Sequence, residues 1–370
     1  VSTQSSFAVV TDPEILKKIS QYKGIWVYAE VDDNTLTSVS LELLAAARYL
    51  SNKTKEDVSA VLLGYGVERF AKELIAHGAD RVYLVEHPLL SSYTSDAYSE
   101  ALAQLVLSKK PSIFLFGANR NARDLASRVA VKVETGLAAD CIKLEINERG
   151  QLEQIRPDFG GKELSVVLTP RTRPQMTTIR PGSYKALPPD PSRQGVVERF
   201  QVELKPEKLK IKVLKSVREK LDPKEDLEKA KVIVAGGMGL KNKENFKLLY
   251  ELASLFEGGA VAGTRSVCEK GWLPHHLQVG QSGKTVSPTL YFAIGLSGAI
   301  QHLVGMQNSE VIVAINIDKE APIFQVCTYG IVGDLFEVVP MLIEEIKRVK
   351  AQKSTQKPAQ EALAATGGSE

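Results

Sequence analysis

Cysteine is scarce in this sequence: Cys141, Cys268 and Cys327 are three thiols among 370 residues, far apart and odd in number. That leaves no CxxC redox pair, no thiolate cluster for a metal and no disulfide framework, so all three read as buried apolar thiols. Histidine is almost as rare. Of five, only His275 and His276 are neighbours, and adjacent side chains point apart on a helix or strand instead of closing on one ion. No metal site is expected. Long apolar runs are missing too, none approaching the roughly 20 residues that a spanning helix needs. The opening VSTQSSFAVVTDPE lacks the basic-then-apolar layout of a secretory leader, so the expected location is the cytoplasm, without membrane insertion. Finally, neither charge is in excess: 47 basic against 44 acidic residues leave a net +3, too balanced for a nucleic-acid surface.

What is present is ordinary in proportion and regular in pattern. With 44% hydrophobic and 25% charged residues the chain resembles other folded proteins, and 370 residues exceed what one core usually serves, so two units are expected. GIWVYAEV (24–31) and SAVLLGY (59–65) are strand-like, while the stretch between them carries Leu41, Leu44, Ala45 and Leu50 at helical spacing. The alternation continues through RVYLVEH (81–87) and SIFLFGA (112–118), the pattern of a parallel sheet covered by crossover helices. After Leu137 the pieces CIKLEIN, QLEQIRPDFGGKE and LSVVLTP predict an antiparallel extension of that sheet, followed by a loop rich in proline and arginine. Alternation restarts at KVIVAGG (231–237) and runs through KENFKLLYELASLF (243–256), AVAGTR (260–265), TLYFAIG, helix SGAIQHLVGM, VIVAINI (311–317), strand FQVCTYG (324–330) and helix 334–350. The expected class is α/β with two doubly wound, Rossmann-like domains and mostly parallel sheets. Its parts are a first domain 1–203, a charged linker 204–230, a second domain 231–350 and a disordered tail 351–370.

Chemistry concentrates in the second half. VIVAGGMGLKNKENF is strand, glycine turn, helix, an arrangement that presents N–H groups to phosphate, or else a turn that simply needs positive φ. Gly236, Gly237 and Gly239 are there, but Asn242 takes the third position of GxGxxG. Where a nicotinamide-binding unit ends its second strand in a carboxylate for the ribose, this chain has Thr264 and Arg265. An arginine only donates; it suits an electron-rich ring, a phosphate or a plain surface ion pair. Between Gly280 and His302, small polar turns flank one short strand, with Gly280, Gln281, Ser282 and Gly283 before it and Ser297 and Gly298 after. Ligands in open α/β sheets sit outside the carboxyl ends of strands, which singles out the SGAIQH turn. The dull readings are that Ser297 caps a helix, that His302 is a satisfied core residue and that Asp334 caps the next helix.

At this length the match to a family is specific. The runs VGQSGKTVSPTLYFAIGLSGAIQHLVGM, VIVAGGMGLKNKENFKLLYELA, VIVAINIDKEAPIF and YGIVGDLFEVVP, with LFGANRNARDLASRVA and ADC earlier, closely resemble the α subunit of electron transfer flavoproteins. The resemblance implies an FAD held by the second domain, and a β subunit bringing AMP or a second FAD. It also implies a donor dehydrogenase, such as an acyl-CoA dehydrogenase, and an acceptor oxidoreductase or ferredoxin. The chain itself would be an electron carrier subunit, with oxidoreductase activity only alongside its partners. Thr264 and Arg265 match the family's pair beside the flavin, and Val279, Gly280, Gln281 and Ser282 match its VGQT/S loop. Ser297, Gly298, Ala299, Ile300, Gln301 and His302 match SGAIQH, with the histidine near the pyrimidine edge of the ring, and Asn316, Asp334 and Leu335 match positions around the adenosine half. Arg265, Ser282 and His302 would stabilise negative charge on the reduced ring. One departure is Met238, where many members have arginine. A charge-assisted hydrogen bond is worth about 1.5–3 kcal/mol, and losing one that discriminates fully between flavin charge states would shift a one-electron potential by roughly 65–130 mV.

The segments RPDFGGKELSVVLTP and GLAADC lean toward the FixB-like, anaerobic, electron-bifurcating branch. Two rival readings stay open, a stand-alone NAD(P)-dependent oxidoreductase and a nucleotide-binding module without redox activity. Arg171, Arg173 and Arg180 are read as solvated loop charges or internal ion pairs ahead of β-subunit contacts, and Arg123 and Asp124 as helix-end charges.

Overall fold

Unbroken apolar runs make the central strands, because a parallel sheet is covered on both faces. The computed structural model describes residues 10–32, 34–158, 163–215, 225–227 and 230–366, with backbone only from 353 onward. It divides into two units, Val1–Val217 and Arg218–Glu370.

The first unit runs α1 (Pro13–Ile19), β1 (Ile25–Ala29), a small hairpin of β2 (Val31–Asp32) and β3 (Thr35–Leu36), α2 (Ser38–Thr54), β4 (Val58–Gly64), α3 (Ala71–Ala76), β5 (Arg81–Glu86), α4 (Ser95–Lys109), β6 (Ile113–Gly117), α5 (Arg120–Lys132), β7 (Leu137–Cys141), β8 (Lys143–Ile146), β9 (Leu152–Asp158), β10 (Glu163–Val167), β11 (Gln175–Ile179) and β12 (Val196–Arg199). Seven strands form one sheet in the order β12-β5-β4-β1-β6-β11-β7, and every pairing in it is parallel. Strands β1, β4 and β6 are buried along their whole length. One face packs under α2 through Leu43, Leu44 and Leu50; the other packs under α4 and α5 through Leu102, Leu105, Leu125 and Val129. The expected antiparallel extension is corrected here, since β8, β9 and β10 form a sheet of their own. The cause sits at the end of β7. Asp140 takes φ 61 and the β11–β7 pairing shifts register between Thr177 and Ile179, so the chain turns out of the parallel sheet with only Ile142 between β7 and β8.

Part of the charged stretch 204–230 belongs to this unit. Leu204 is buried in its core and Leu209 packs beside it. The N–H groups of Lys210 and Ile211 donate to Asp96 Oδ2 at 2.6 and 3.0 Å. Residues 216–224 and 228–229 of that stretch lie outside the described residues.

The second unit contains β13 (Val232–Gly236), α6 (Phe246–Ser254), β14 (Gly259–Gly263), α7 (Arg265–Glu269), β15 (Leu290–Ile294), α8 (Ile300–Leu303), β16 (Val311–Asn316), β17 (Tyr329–Val332) and α9 (Leu335–Thr366). Its five strands are parallel, in the order β14-β13-β15-β16-β17. Helix α6 turns Phe246, Leu249, Leu252 and Ala253 onto the sheet, a face worth about 1.5–3 kcal/mol for each fully buried large side chain. Successive strands run from β13 outward to β14, then return across β13 to β15. The strand order therefore reverses beside β13, and in such sheets the crevice for a ligand opens there, outside the carboxyl ends.

Two expectations are corrected in this unit. FQVCTYG is not one strand: Pro322 opens a short 3-10 turn, Pro322–Gln325, and pairing with β16 begins only at Tyr329. SGAIQHLVGM holds just the four helical residues of α8, because Gly298 sits at φ +81 before it and the backbone of Gly305 abuts Gly280 after it. The helical backbone of α9 runs to Thr366; the alanines, glutamines and lysines of its last part are good helix formers. Among the described residues no helix is long and apolar enough to cross a membrane.

Candidate functional site

The crevice begins with two backbone loops zipped together. The N–H of Gly237 donates to the Ile294 carbonyl at 3.0 Å and that of Gly239 to the Gly295 carbonyl at 2.9 Å, joining the turns that leave β13 and β15. A Cβ on Gly237 would lie 2.4 Å from the Gly295 oxygen, so glycine is required by close approach. Neither glycine has positive φ. These amides are spent on the fold, and α6 starts only at Phe246, so the GGMGL turn is not the phosphate cradle that its sequence suggests. Met238 follows β13 at the rim, 38% exposed.

Strand β14 delivers Thr264 and Arg265. The Thr264 N–H bonds the Gly236 carbonyl at 3.1 Å, and the residue stands at the N-cap of α7 without a side-chain cap bond. Arg265 is exposed, with Nε 2.7 Å from Glu269 Oε1 one turn on. That is the surface ion pair of the dull reading, held weakly in water and open to exchange for another anion.

The loop Val279–Ser282 is pinned to both neighbours. Val279 N–H donates to the Gly263 carbonyl at 3.0 Å and Gln281 N–H to the Gln301 carbonyl at 2.7 Å, while Gln278 Nε2 donates to Ser282 Oγ at 3.0 Å. Gly280, at φ +142, lies so near α8 that a Cβ would come within 2.7 Å of the Gln301 oxygen. The turns on either side of β15, separated by a strand in the sequence, thus meet at one end of the sheet. Gln281 and Ser282 are exposed there, as are Ser297, Ala299, Ile300 and Gln301.

His302 faces the other way. It is 6% exposed, with Nδ1 at 3.1 Å from the Val279 carbonyl and Nε2 at 3.0 Å from the Tyr291 hydroxyl. A carbonyl only accepts, so the proton sits on Nδ1 and the phenol donates to Nε2. Burial pushes the imidazole down to about 4, and the Val279 bond opposes it. A neutral, internally bonded histidine has no charge to offer a reduced ring. His302 is thus buried and internally bonded, and Arg265 and Ser282 are the exposed donors at the rim.

The adenosine-side candidates are likewise engaged locally. Asn316 Nδ2 donates to the Leu296 carbonyl and its Oδ1 accepts from Asp318 N–H, both at 2.9 Å. Asp334 caps α9, its Oδ1 accepting from Phe336 N–H at 2.9 Å. Leu335 is buried against Gly295, and Ser297 does not cap α8, whose N-cap is Ala299. In the first unit, Arg180 is an internal ion pair with Asp140 at 2.6 Å, and Arg123 joins the same carboxylate at 3.0 Å. Asp124 accepts from Tyr93 and Arg128, and Arg173 donates to the carbonyls of Thr169 and Thr172. Sequence reasoning missed Tyr291, which reads only as an aromatic in an apolar strand, and Glu269. A groove of about 860 Å³ on the flank of α6 and α7, lined by Phe246, Tyr250, Trp272 and His275, lies off the crevice and shares only Glu269 with the Arg265 pair.

A doubly wound sheet whose switch point is rimmed by hydrogen-bond donors defines a nucleotide-cofactor-binding α/β protein. Comparison with known proteins narrows this. The family model for the electron transfer flavoprotein domain matches residues 25–205, and that for the electron transfer flavoprotein FAD-binding domain matches 226–307. The chain is 46% identical to the electron transfer flavoprotein subunit alpha of Thermoanaerobacterium thermosaccharolyticum, over 90% of this chain and all of that one. It is 46% identical to Protein FixB of Clostridium saccharobutylicum, over 90% of this chain and 98% of the relative. It is 40% identical to the acryloyl-CoA reductase electron transfer subunit beta of Anaerotignum propionicum, over 90% and 98%. The chain belongs to the electron transfer flavoprotein family, as an α subunit.

Proposed function

We propose that the crevice at the carboxyl ends of β13, β14 and β15 holds the isoalloxazine of FAD, and that the chain passes electrons between a dehydrogenase and a downstream acceptor together with a β subunit. The observation that carries the assignment is the convergence of Thr264, Arg265, Gln281, Ser282 and Ser297 from three separate loops onto one end of the sheet. Hydroxyl, amide and guanidinium groups at that rim suit an electron-rich ring that gains negative charge. The end of β14 supplies no carboxylate for a ribose diol, which turns the site away from nicotinamide.

When bound, the flavin supplies the redox chemistry, and the protein supplies orientation and electrostatics. Arg265, by exchanging Glu269 for the ring edge, and Ser282, presented by Gln278, favour the reduced form. Asn316, Asp334 and Leu335 set the shape of the adenosine side through the loops they tie down. The β subunit brings AMP or a second FAD, and a relative's name, acryloyl-CoA reductase electron transfer subunit beta, supports an acyl-CoA-linked oxidoreductase among the partners. A cytoplasmic location accords with that assembly. Arg265→Ala in the heterodimer should lower the flavin reduction potential and alter its absorbance; unchanged values reject the role. Counting flavins per heterodimer separates the branches: two favour bifurcation, one with AMP favours simple carriage.

A further inference from the structure

One buried polar chain connects the middle of the second sheet to the crevice. Tyr291 lies on β15, flanked in register by Ile233 of β13 and Ile312 of β16, and is completely buried. Its hydroxyl meets His302 Nε2, and His302 Nδ1 meets the Val279 carbonyl. From Val279 the tie continues through its own N–H to Gly263 at the end of β14. The next amides of the loop, Gly280 and Gln281, bond Lys284 and Gln301, the latter adjacent to His302.

Each link constrains the next. A strand held on both sides cannot move its tyrosine, and a phenol with a single buried imidazole before it must use that imidazole. Donation into Nε2 forces the ring proton onto Nδ1, the only place from which it can reach a carbonyl. With the hydroxyl gone, Nε2 is a buried acceptor without a partner, and the ring is free to turn over.

We infer that Tyr291 is a positioning residue for the cofactor crevice: it locks His302 as the neutral Nδ1–H tautomer and, through it, fixes the Val279 carbonyl and the Gln281–Ser282 turn before a cofactor arrives. The inference rests on the crevice being the flavin site. A loop ordered in advance costs less to close on a ligand, so the lock acts on affinity and on the placement of Ser282.

The test uses the full chain with its β subunit, first freed of flavin, then reconstituted with FAD. In the flavin-free protein, nitrogen NMR of labelled histidine should find the His302 proton on Nδ1. Tyr291→Phe, which keeps the ring and removes one oxygen, should speed amide exchange at Gln281 at least tenfold while Ile233 and Ile312 keep wild-type protection. His302→Leu should do the same, and because the two residues act in series, the double variant should exceed neither single one. Tyr291→Phe should also weaken FAD retention about tenfold. A proton on Nε2, unchanged Gln281 exchange in Tyr291→Phe, or effects that add in the double variant would each overturn the inference. Failure of the wild-type heterodimer to take up FAD would instead overturn the crevice assignment, and is seen without any variant.

Discussion

Acidification from pH 7 to pH 5 is expected to cost the second unit about 2 kcal/mol through one side chain. His302 has an ordinary imidazole value of 6.5 in the unfolded chain and about 4 in the fold, where burial penalises its charged form and outweighs the opposing Val279 bond. Because the folded value is the lower one, the unfolded chain takes up the proton first. The contribution is complete above about 6.5, declines as pH falls through that window, and levels off below about 4. At pH 5 the unfolded form is favoured by about 1.5 powers of ten, and each power is about 1.4 kcal/mol, hence roughly 2 kcal/mol. The measurement is urea unfolding at pH 7, 6 and 5, followed by Trp272 fluorescence in a Trp26→Phe background so that only the second unit reports. His302→Gln, which keeps a donor and an acceptor but cannot charge, is the reference. If both proteins lose the same free energy between pH 7 and pH 5, His302 is not the buried neutral group described here.

Other consequences follow from single contacts. Gly237→Ala puts a Cβ 2.4 Å from the Gly295 oxygen and must part the two loops; overpacking of this kind costs about 1–3 kcal/mol, and FAD affinity should fall with the unfolding midpoint. Glu42 titrates at about 7, burial raising it and the Gly182 N–H partly opposing. Its folded value exceeds the ordinary 4.5, so the contribution of this one carboxyl to the first unit is fully present below about 4.5 and is lost, by up to about 3 kcal/mol, as pH rises through 7. Glu42→Gln should flatten that loss, as read by thermal unfolding across the range. Met238→Arg would return a charged donor to the rim after β13 and should raise the one-electron potential by roughly 65–130 mV; a smaller movement means the side chain does not reach the ring.

Much of the architecture was legible in order along the chain. The apolar runs at β1, β4, β6, β13 and β15 read as buried parallel strands because period and composition are local properties. The carboxyl-end turns at Thr264–Arg265 and Ser297–Gly298 pointed to the crevice for the same reason, since a glycine-and-serine turn after a strand marks where backbone can approach a ligand. Pairing partners were not legible. FQVCTYG looks like a strand, yet only Tyr329 onward finds β16, and CIKLEIN looks like an extension of the first sheet, yet the twist at Asp140 sends it into another.

Side-chain direction was the larger gap. Sequence by itself determined that a histidine stands one turn beyond a polar loop; only the tertiary structure decided that it turns inward to Tyr291 and Val279, carries its proton on Nδ1 and stays neutral. The physical reason is that hydrogen-bond partners eleven and twenty-three residues away are brought within 3.1 Å by the sheet order. No spacing rule along the chain encodes which of its two faces a short helix will bury.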